Sequence, residues 1–229
     1  MPARRQTRAP RALYASCSLL ALAAAPLHAQ RCLGFPGFGG QPLRVDGRLA
    51  TGDRHTDLAA DLAFGQAAGA FGGVGIGVAD YDNSNRSALL VSGEIGTQVP
   101  LGTPTRTSAG AQLCPVASLQ YRAGPNTDAV DRSGLDLRGG VSLGTSLPMA
   151  QSTRFAPYGT VSFAYRRATV DAGRERLTSD DVGGVIDLGA GFIFTNRFTV
   201  RPSVSIPVGF DDTDARFGLA VGFNFGGTR

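Results

Sequence analysis

The sequence predicts an all-β protein, a single antiparallel up-and-down transmembrane β-barrel of ten strands. Three observations lead there. Successive segments alternate large apolar side chains with small or polar ones, the period of a strand whose two faces meet different surroundings. No long stretch carries the 3.6-residue apolar period of an amphipathic helix. No segment approaches the roughly 20 uninterrupted apolar residues of a membrane-spanning helix. A barrel hides its membrane character, because outward and inward residues alternate and cancel in any window average.

Residues 1–29 read as a cleaved secretory signal. Arg4, Arg5, Arg8 and Arg11 make a basic start without an acid, Leu19 to Ala25 is apolar, and Leu27-His28-Ala29 supplies aliphatic and small residues for a cleavage site. Arg31 directly before Cys32 argues against a lipid anchor, which needs a small residue there. Taking those four arginines from 22 basic residues leaves 18 against 18 acidic ones, so the net charge of +4 belongs to the signal. The electrostatic footprint of nucleic-acid binding goes with it, and no nucleic-acid partner is expected. All the basic residues are Arg; without a Lys, the P-loop, the Schiff base and the catalytic amine are excluded.

Residues 30–42 read as an N-terminal linker on the periplasmic side, irregular around Phe35-Pro36-Gly37-Phe38-Gly39-Gly40, and residues 43–229 as the barrel. Four weaker strand candidates come first, around 43–50, 57–66, 70–80 and 87–98. Then Leu113, Pro115, Leu119 and Tyr121 alternate with Gln112, Cys114, Ser118 and Gln120, and Leu135, Leu137, Val141 and Leu143 with Asp136, Arg138 and Ser142. Within 154–169, Phe155, Val161, Phe163 and Tyr165 oppose Tyr158, Thr160, Ser162 and Arg166. Residues 182–194 oppose Ile186, Leu188, Ala190, Phe192 and Phe194 to Asp187, Gly189 and Gly191. Phe198 to Val208 repeats the pattern, and Phe217 to Phe225 is the clearest case, each odd-numbered residue large and apolar.

Ten is an even number, so an antiparallel meander closes with both chain ends on one side. If 43–50 and one neighbour stay unpaired, eight strands remain as the alternative. With a periplasmic N-terminus, the outer loops are 51–56, 81–86, 122–133, 170–181 and 209–215, and these hold most of the loop charge.

A signal peptide, Gly-rich alternating strands, Asp/Asn-rich outer loops and a last strand ending in Phe223 and Phe225 resemble the small outer-membrane β-barrel superfamily, the OmpA-like and porin-like barrels. The resemblance covers nearly the whole mature chain as a pattern rather than a motif. It implies the outer membrane of a Gram-negative cell envelope, with outer-membrane lipid and lipopolysaccharide as neighbours and the barrel-assembly machinery as a partner during biogenesis. Gly226-Gly227-Thr228-Arg229 after Phe225 depart from the family, whose last strand usually ends the protein on its aromatic residue.

Polar faces turned inward place Arg44, Asp46, Arg48, Asp61, Glu94, Asp136, Arg138, Arg166, Asp187 and Arg201 in the lumen, five of each sign. On the lipid face at mid-membrane an Arg costs about 2–4 kcal/mol, whereas inside, Arg forks can meet carboxylates. The expectation is a lumen closed by salt bridges; against it, Gly73, Gly75, Gly77, Gly189, Gly191, Gly218 and Gly222 leave room for a water path. Cys32 and Cys114, an even pair after signal removal in an oxidising compartment, predict a disulfide tying the N-terminal segment to the barrel mouth.

His55, between Asp53 and Asp57, is the one candidate general base, and no motif marks a nucleophile. Asp80, Asp82 and Asn83, and Asp211, Asp212 and Asp214, offer oxygen ligands without an EF-hand spacing, so solvated turns explain them better. No cofactor, metal centre or catalytic residue is assigned, and the chain reads as a non-enzymatic barrel with a structural or surface-interaction role through its outer loops. The competing readings are a narrow small-solute channel, a hydrolase built on His55, and a secreted lipocalin-like binding barrel.

Overall fold

The computed structural model describes residues 31–38, 41–52, 55–66, 69–81, 87–101, 110–127, 130–150, 152–173, 175–195, 197–210 and 214–225. The signal segment 1–29, Asp53, Asp82, Asn83, Asp211 and Asp212 lie outside them.

Alternation sets the elements. After one 3-10 turn at Arg31–Leu33 come β1 (Leu43–Thr51), β2 (His55–Gly65), β3 (Ala70–Tyr81), β4 (Ser87–Thr97), β5 (Val99–Leu101) and β6 (Ala111–Ala123). They are followed by β7 (Asp131–Gly144), β8 (Leu147–Ala150), β9 (Thr153–Ala172), β10 (Glu175–Phe194), β11 (Phe198–Val208) and β12 (Arg216–Phe225). Short β5 carries the line of β4 onward against β6, and β8 carries that of β7 against β9. The twelve segments therefore make ten staves, all paired antiparallel with their sequence neighbours. β12 pairs back onto β1 from Leu43↔Phe225 to Thr51↔Phe217, closing the barrel. The ten-strand reading holds, and the eight-strand alternative falls, because β1 is laddered on both edges.

Register fixes which side chains face out. In β3 and β4, Val74, Ile76, Leu89, Val91 and Ile95 are exposed; across the barrel, Val161 and Phe163 are 65% and 78% exposed. The bulky residues of β1, β2, β11 and β12, among them Leu49, Leu58, Ile206 and Leu219, join the same outer band. Near the end where β1 begins and β12 finishes, Phe64, Phe194, Phe198, Phe223 and Phe225 form an aromatic rim. Phe194 and Phe198 stand 6.0 Å apart, and Phe223 and Phe225 4.8 Å apart. Such rims lie where a hydrocarbon slab meets water. The wall strands, mostly 9–14 residues long, match the roughly 9–11 residues that a tilted strand needs to cross a bilayer.

One stretch differs from the loop pattern read in the sequence. Residues 170–181, taken there as an outer loop, continue β9 and β10, which pair without a break from Phe194↔Thr153 to Glu175↔Ala172. Both strands reach 20 residues and project past the rest of the wall. Because the ladder to β11 stops at Gly184↔Val208, residues 175–183 have β9 as their one strand partner among the described residues.

Candidate functional site

The alternation that turns the bulky residues out brings the polar ones together, so the site is the lumen itself. All ten charged residues assigned inward from the sequence line one cavity of about 1110 Å³. The cavity has a floor near the start of β1 and reaches the opposite rim at Arg132, Asp181 and Asp214.

The floor is the N-terminal segment. Read in the sequence as an irregular linker, residues 31–38 lie across the inside of the barrel mouth. The Cys32–Cys114 disulfide, Cα atoms 6.0 Å apart, fixes the segment to β6. The Ser142 hydroxyl of β7 donates to the Cys32 carbonyl, and Arg201 Nη1 of β11 donates to the Leu33 carbonyl at 3.0 Å. Gly34, at φ +71°, passes under the ring of Tyr158, and its carbonyl occupies the space that a side chain at Gly191 would need. Only glycines permit that approach at both positions. Phe38 then packs with Ala63, Phe71 and the disulfide.

Phe35, 3% exposed, sits between two guanidinium groups, Arg44 at 3.5 Å and Arg201 at 3.9 Å from its ring centre. Stacking on an aromatic face is worth most where water is excluded. A buried Arg also demands its counter-ion, and Asp46 supplies one at 2.6 Å, with side-chain exposures of 1% for Arg44 and 5% for Asp46. Gly222, opposite Asp46 on β12, leaves the room that the carboxylate takes.

Higher in the lumen, Arg48 meets Asp61 at 3.5 Å, and Asp61 accepts a hydrogen bond from Ser92 across the bare backbone of Gly75. Above these, two carboxylates each draw in two guanidinium groups. Asp136 takes a fork from Arg138, both bonds 3.0 Å, and Arg166 Nε at 3.2 Å. Asp57 takes Arg216 at 2.6 Å and Arg122 at 3.4 Å. The Arg122–Asp57 bond runs from β6 to β2 over β3 and β4, whose inward residues there are the buried Ala79, Ala88 and Leu90. These apolar side chains inside a wet lumen make sense as the underside of that bridge.

The structure thus brings Arg44 to Asp46, Arg48 to Asp61, and Arg138 and Arg166 to Asp136. Glu94, Asp187 and Arg201 form no ion pair within 4.0 Å among the described residues; Arg201 serves the floor instead. Sequence reasoning missed Asp57, Arg122 and Arg216. Parity could have found them, since Arg122 follows Gln120, Arg216 precedes Gly218, and Asp57 precedes Asp61, each on the inward face. His55 opens β2 rather than lying in a loop; its ring stacks on Tyr81 at 5.3 Å, and Nε2 stands 3.7 Å from Asp57. Asp57, one of the two acids that flank His55 in the sequence, is shared with Arg122 and Arg216.

Outside the lumen, on the outward face of the projecting hairpin, Arg167 forks onto Asp180 at 2.7 and 3.0 Å, and the Tyr165 hydroxyl donates to the same carboxylate at 2.8 Å. These bonds, Arg167 first, hold the Asp180 carboxyl down at about 2.

An apolar exterior around an interior of ion pairs is the inverse of a soluble barrel. The chain has the build of a small outer-membrane β-barrel. No family model and no curated protein matches the sequence. Among solved structures, this barrel is similar to Ail, the attachment invasion locus protein of Yersinia pestis, with 9% identity, 81% of this chain and 99% of that one covered, and a TM-score of 0.38. It is also similar to the N-terminal β-barrel domain of Pseudomonas aeruginosa OprF, with 13% identity, 81% and 98% covered, and a TM-score of 0.34.

Proposed function

We propose that this protein is a non-enzymatic barrel of the bacterial outer membrane, closed to solute flow, that acts through its outer surface. The observation that carries the reading is the floor: a covalently fixed segment fills the mouth on the side where β1 begins, and Phe35 is clamped by cations from β1 and β11. A narrow channel would need that segment to leave, against the disulfide and the buried Arg44–Asp46 pair. A soluble lipocalin-like barrel would expose the band around Val161, Phe163, Ile76 and Ile95 to water, a far larger apolar surface than a monomeric soluble protein tolerates.

The projecting hairpin supports the interactive role. Backbone groups along one edge of 175–183 have no ladder partner among the described residues, and a free edge can receive an extended peptide as an added strand. Planar-bilayer recording of the purified, disulfide-intact protein tests the closed state. The expected trace is silent at all voltages that the bilayer withstands, and steady stepwise openings overturn the reading in favour of a channel.

A further inference from the structure

We propose that the upper lumen binds a small, doubly charged tetrahedral oxyanion of the sulfate or phosphate class, entering from the rim opposite the floor and gripped by Arg122, Arg166 and Arg216. The argument starts from the imbalance around Asp57 and Asp136. Four guanidinium groups share two carboxylates, so this half-buried belt holds two more guanidinium groups than the carboxylates they bond.

Each guanidinium has five N–H donors. Arg138 commits a full fork to Asp136, but Arg166 gives that carboxylate only its Nε. Arg122 and Arg216 each give Asp57 one Nη2, and the Arg216 Nε is buried without a partner. Donors left over in a partly dehydrated site favour an acceptor with several oxygens and full charge.

The belt's geometry suits one ligand touching both clusters. Arg122 opposes Gly134 in the β6–β7 ladder, two residues from Asp136, which places it on the diagonal neighbour position some 7–8 Å away along the wall. Arg122 is therefore bonded to one carboxylate and adjacent to the other. Arg166 sits over the ring of Phe210, its guanidinium carbon 4.0 Å from the ring centre, which limits where it can move. Of the remaining acids, Asp187 faces the lumen on the floor side of Arg138, Asp214 is exposed, and Asp181 stands opposite Arg166 in the β9–β10 ladder without an ion pair within 4.0 Å among the described residues. Water screens rim charges much more than belt charges.

The surplus of uncommitted N–H donors favours an anion with several oxygens over chloride. A dead end also suits capture rather than passage, although the site does not depend on the floor: a conducting barrel could carry the same belt, so the bilayer experiment and this one fail separately.

The test is calorimetric titration of the folded protein, in a non-ionic detergent at low ionic strength, with sodium sulfate, sodium phosphate and sodium chloride. Sulfate should bind saturably across the neutral and mildly acidic range, phosphate should weaken as its second proton returns, and chloride should give no saturable heat. Arg122→Gln and Arg166→Gln should each weaken sulfate about tenfold or more, the loss of one charge-assisted contact. Unmodified protein provides the second measurement, since phenylglyoxal labels accessible arginines. Sulfate should protect Arg122, Arg166 and Arg216 while leaving the exposed Arg176 reactive. No saturable heat with either dianion, undiminished binding in folded variants, or equal labelling with and without sulfate overturns the proposal.

Discussion

The two ends of the lumen use the same side chains in opposite ways. At the floor, Arg44 is 1% exposed, stacked on Phe35 and neutralised by one carboxylate at 2.6 Å. Midway up, Arg48 is 38% exposed and only 3.5 Å from its partner Asp61, and toward the rim four arginines divide two acids among themselves. The difference teaches that sealing and binding are separate tasks in one barrel. Where a polypeptide segment excludes water, Arg44 is held by a carboxylate and Arg201 by a carbonyl and the Phe35 ring; where water enters, arginines can outnumber the acids they bond.

The sharpest break between the ends should appear on removing one partner of a pair. Asp46→Ala strands Arg44 in a dehydrated site and should cost about 3–5 kcal/mol of folding free energy. Asp61→Ala, at a pair that water already reaches, should cost within about 1 kcal/mol. Reversible urea titration in lipid or detergent measures both. Equal losses would show that the floor is as wet as the upper lumen, and the comparison would collapse.

Next comes Phe35→Ala, which empties the space between Arg44 and Arg201. A buried Phe truncated to Ala costs about 3 kcal/mol or more where the site cannot collapse, and two tethered guanidinium groups limit collapse. The same variant should give transient openings in planar bilayers while the parent stays silent. A silent, equally stable Phe35→Ala barrel would mean that the segment's backbone alone makes the seal.

Replacing both cysteines by Ser should cost somewhat less, about 2–4 kcal/mol, for a cross-link closing 82 residues of sequence. The floor should stay seated through Phe35 and the Ser142 and Arg201 hydrogen bonds, but exchange of its amides should quicken. An unchanged melting profile together with unchanged exchange would remove the disulfide from the list of what holds the floor.

The wall was legible in the sequence because a strand between lipid and water writes its position at every second residue. Leu219, Val221, Phe223 and Phe225 announce their side without knowing their neighbours. The cysteine pair was legible from number and compartment. The floor was not, because Phe35 and Phe38 have no period; they are buried by Arg44, Arg201 and Phe71, residues that come near only once the barrel has closed. The extension of β9 and β10 was hidden for the converse reason. Past the membrane both faces of a strand are wet, so Asp171, Glu175, Arg176 and Asp180 look like loop residues although their backbones are laddered. Asp57, Arg122 and Arg216 were missed at strand ends, where they read as loop charges until the inward parity of Asp61, Gln120 and Gly218 is carried on to them.

The smallest effect belongs to that wet extension and bounds the comparison from its far side. Asp180 is exposed, yet the Arg167 fork and the Tyr165 hydroxyl hold its carboxyl at about 2, below the ordinary 3.8. A carboxylate depressed on folding contributes stability that is fully present above the unfolded value and is lost as pH falls through the folded one. The tie between β9 and β10 should therefore survive at pH 3 and loosen toward pH 2. Carboxyl carbon shifts in NMR should give a midpoint for Asp180 near 2, and amide exchange of 176–183 should rise over the same window. Asp180→Asn should remove the pH dependence and leave global unfolding nearly unchanged, since a solvated ion pair contributes little to the whole. A midpoint near 3.8 would show that the fork does not persist in water, and that the projecting strands are held by their ladder alone.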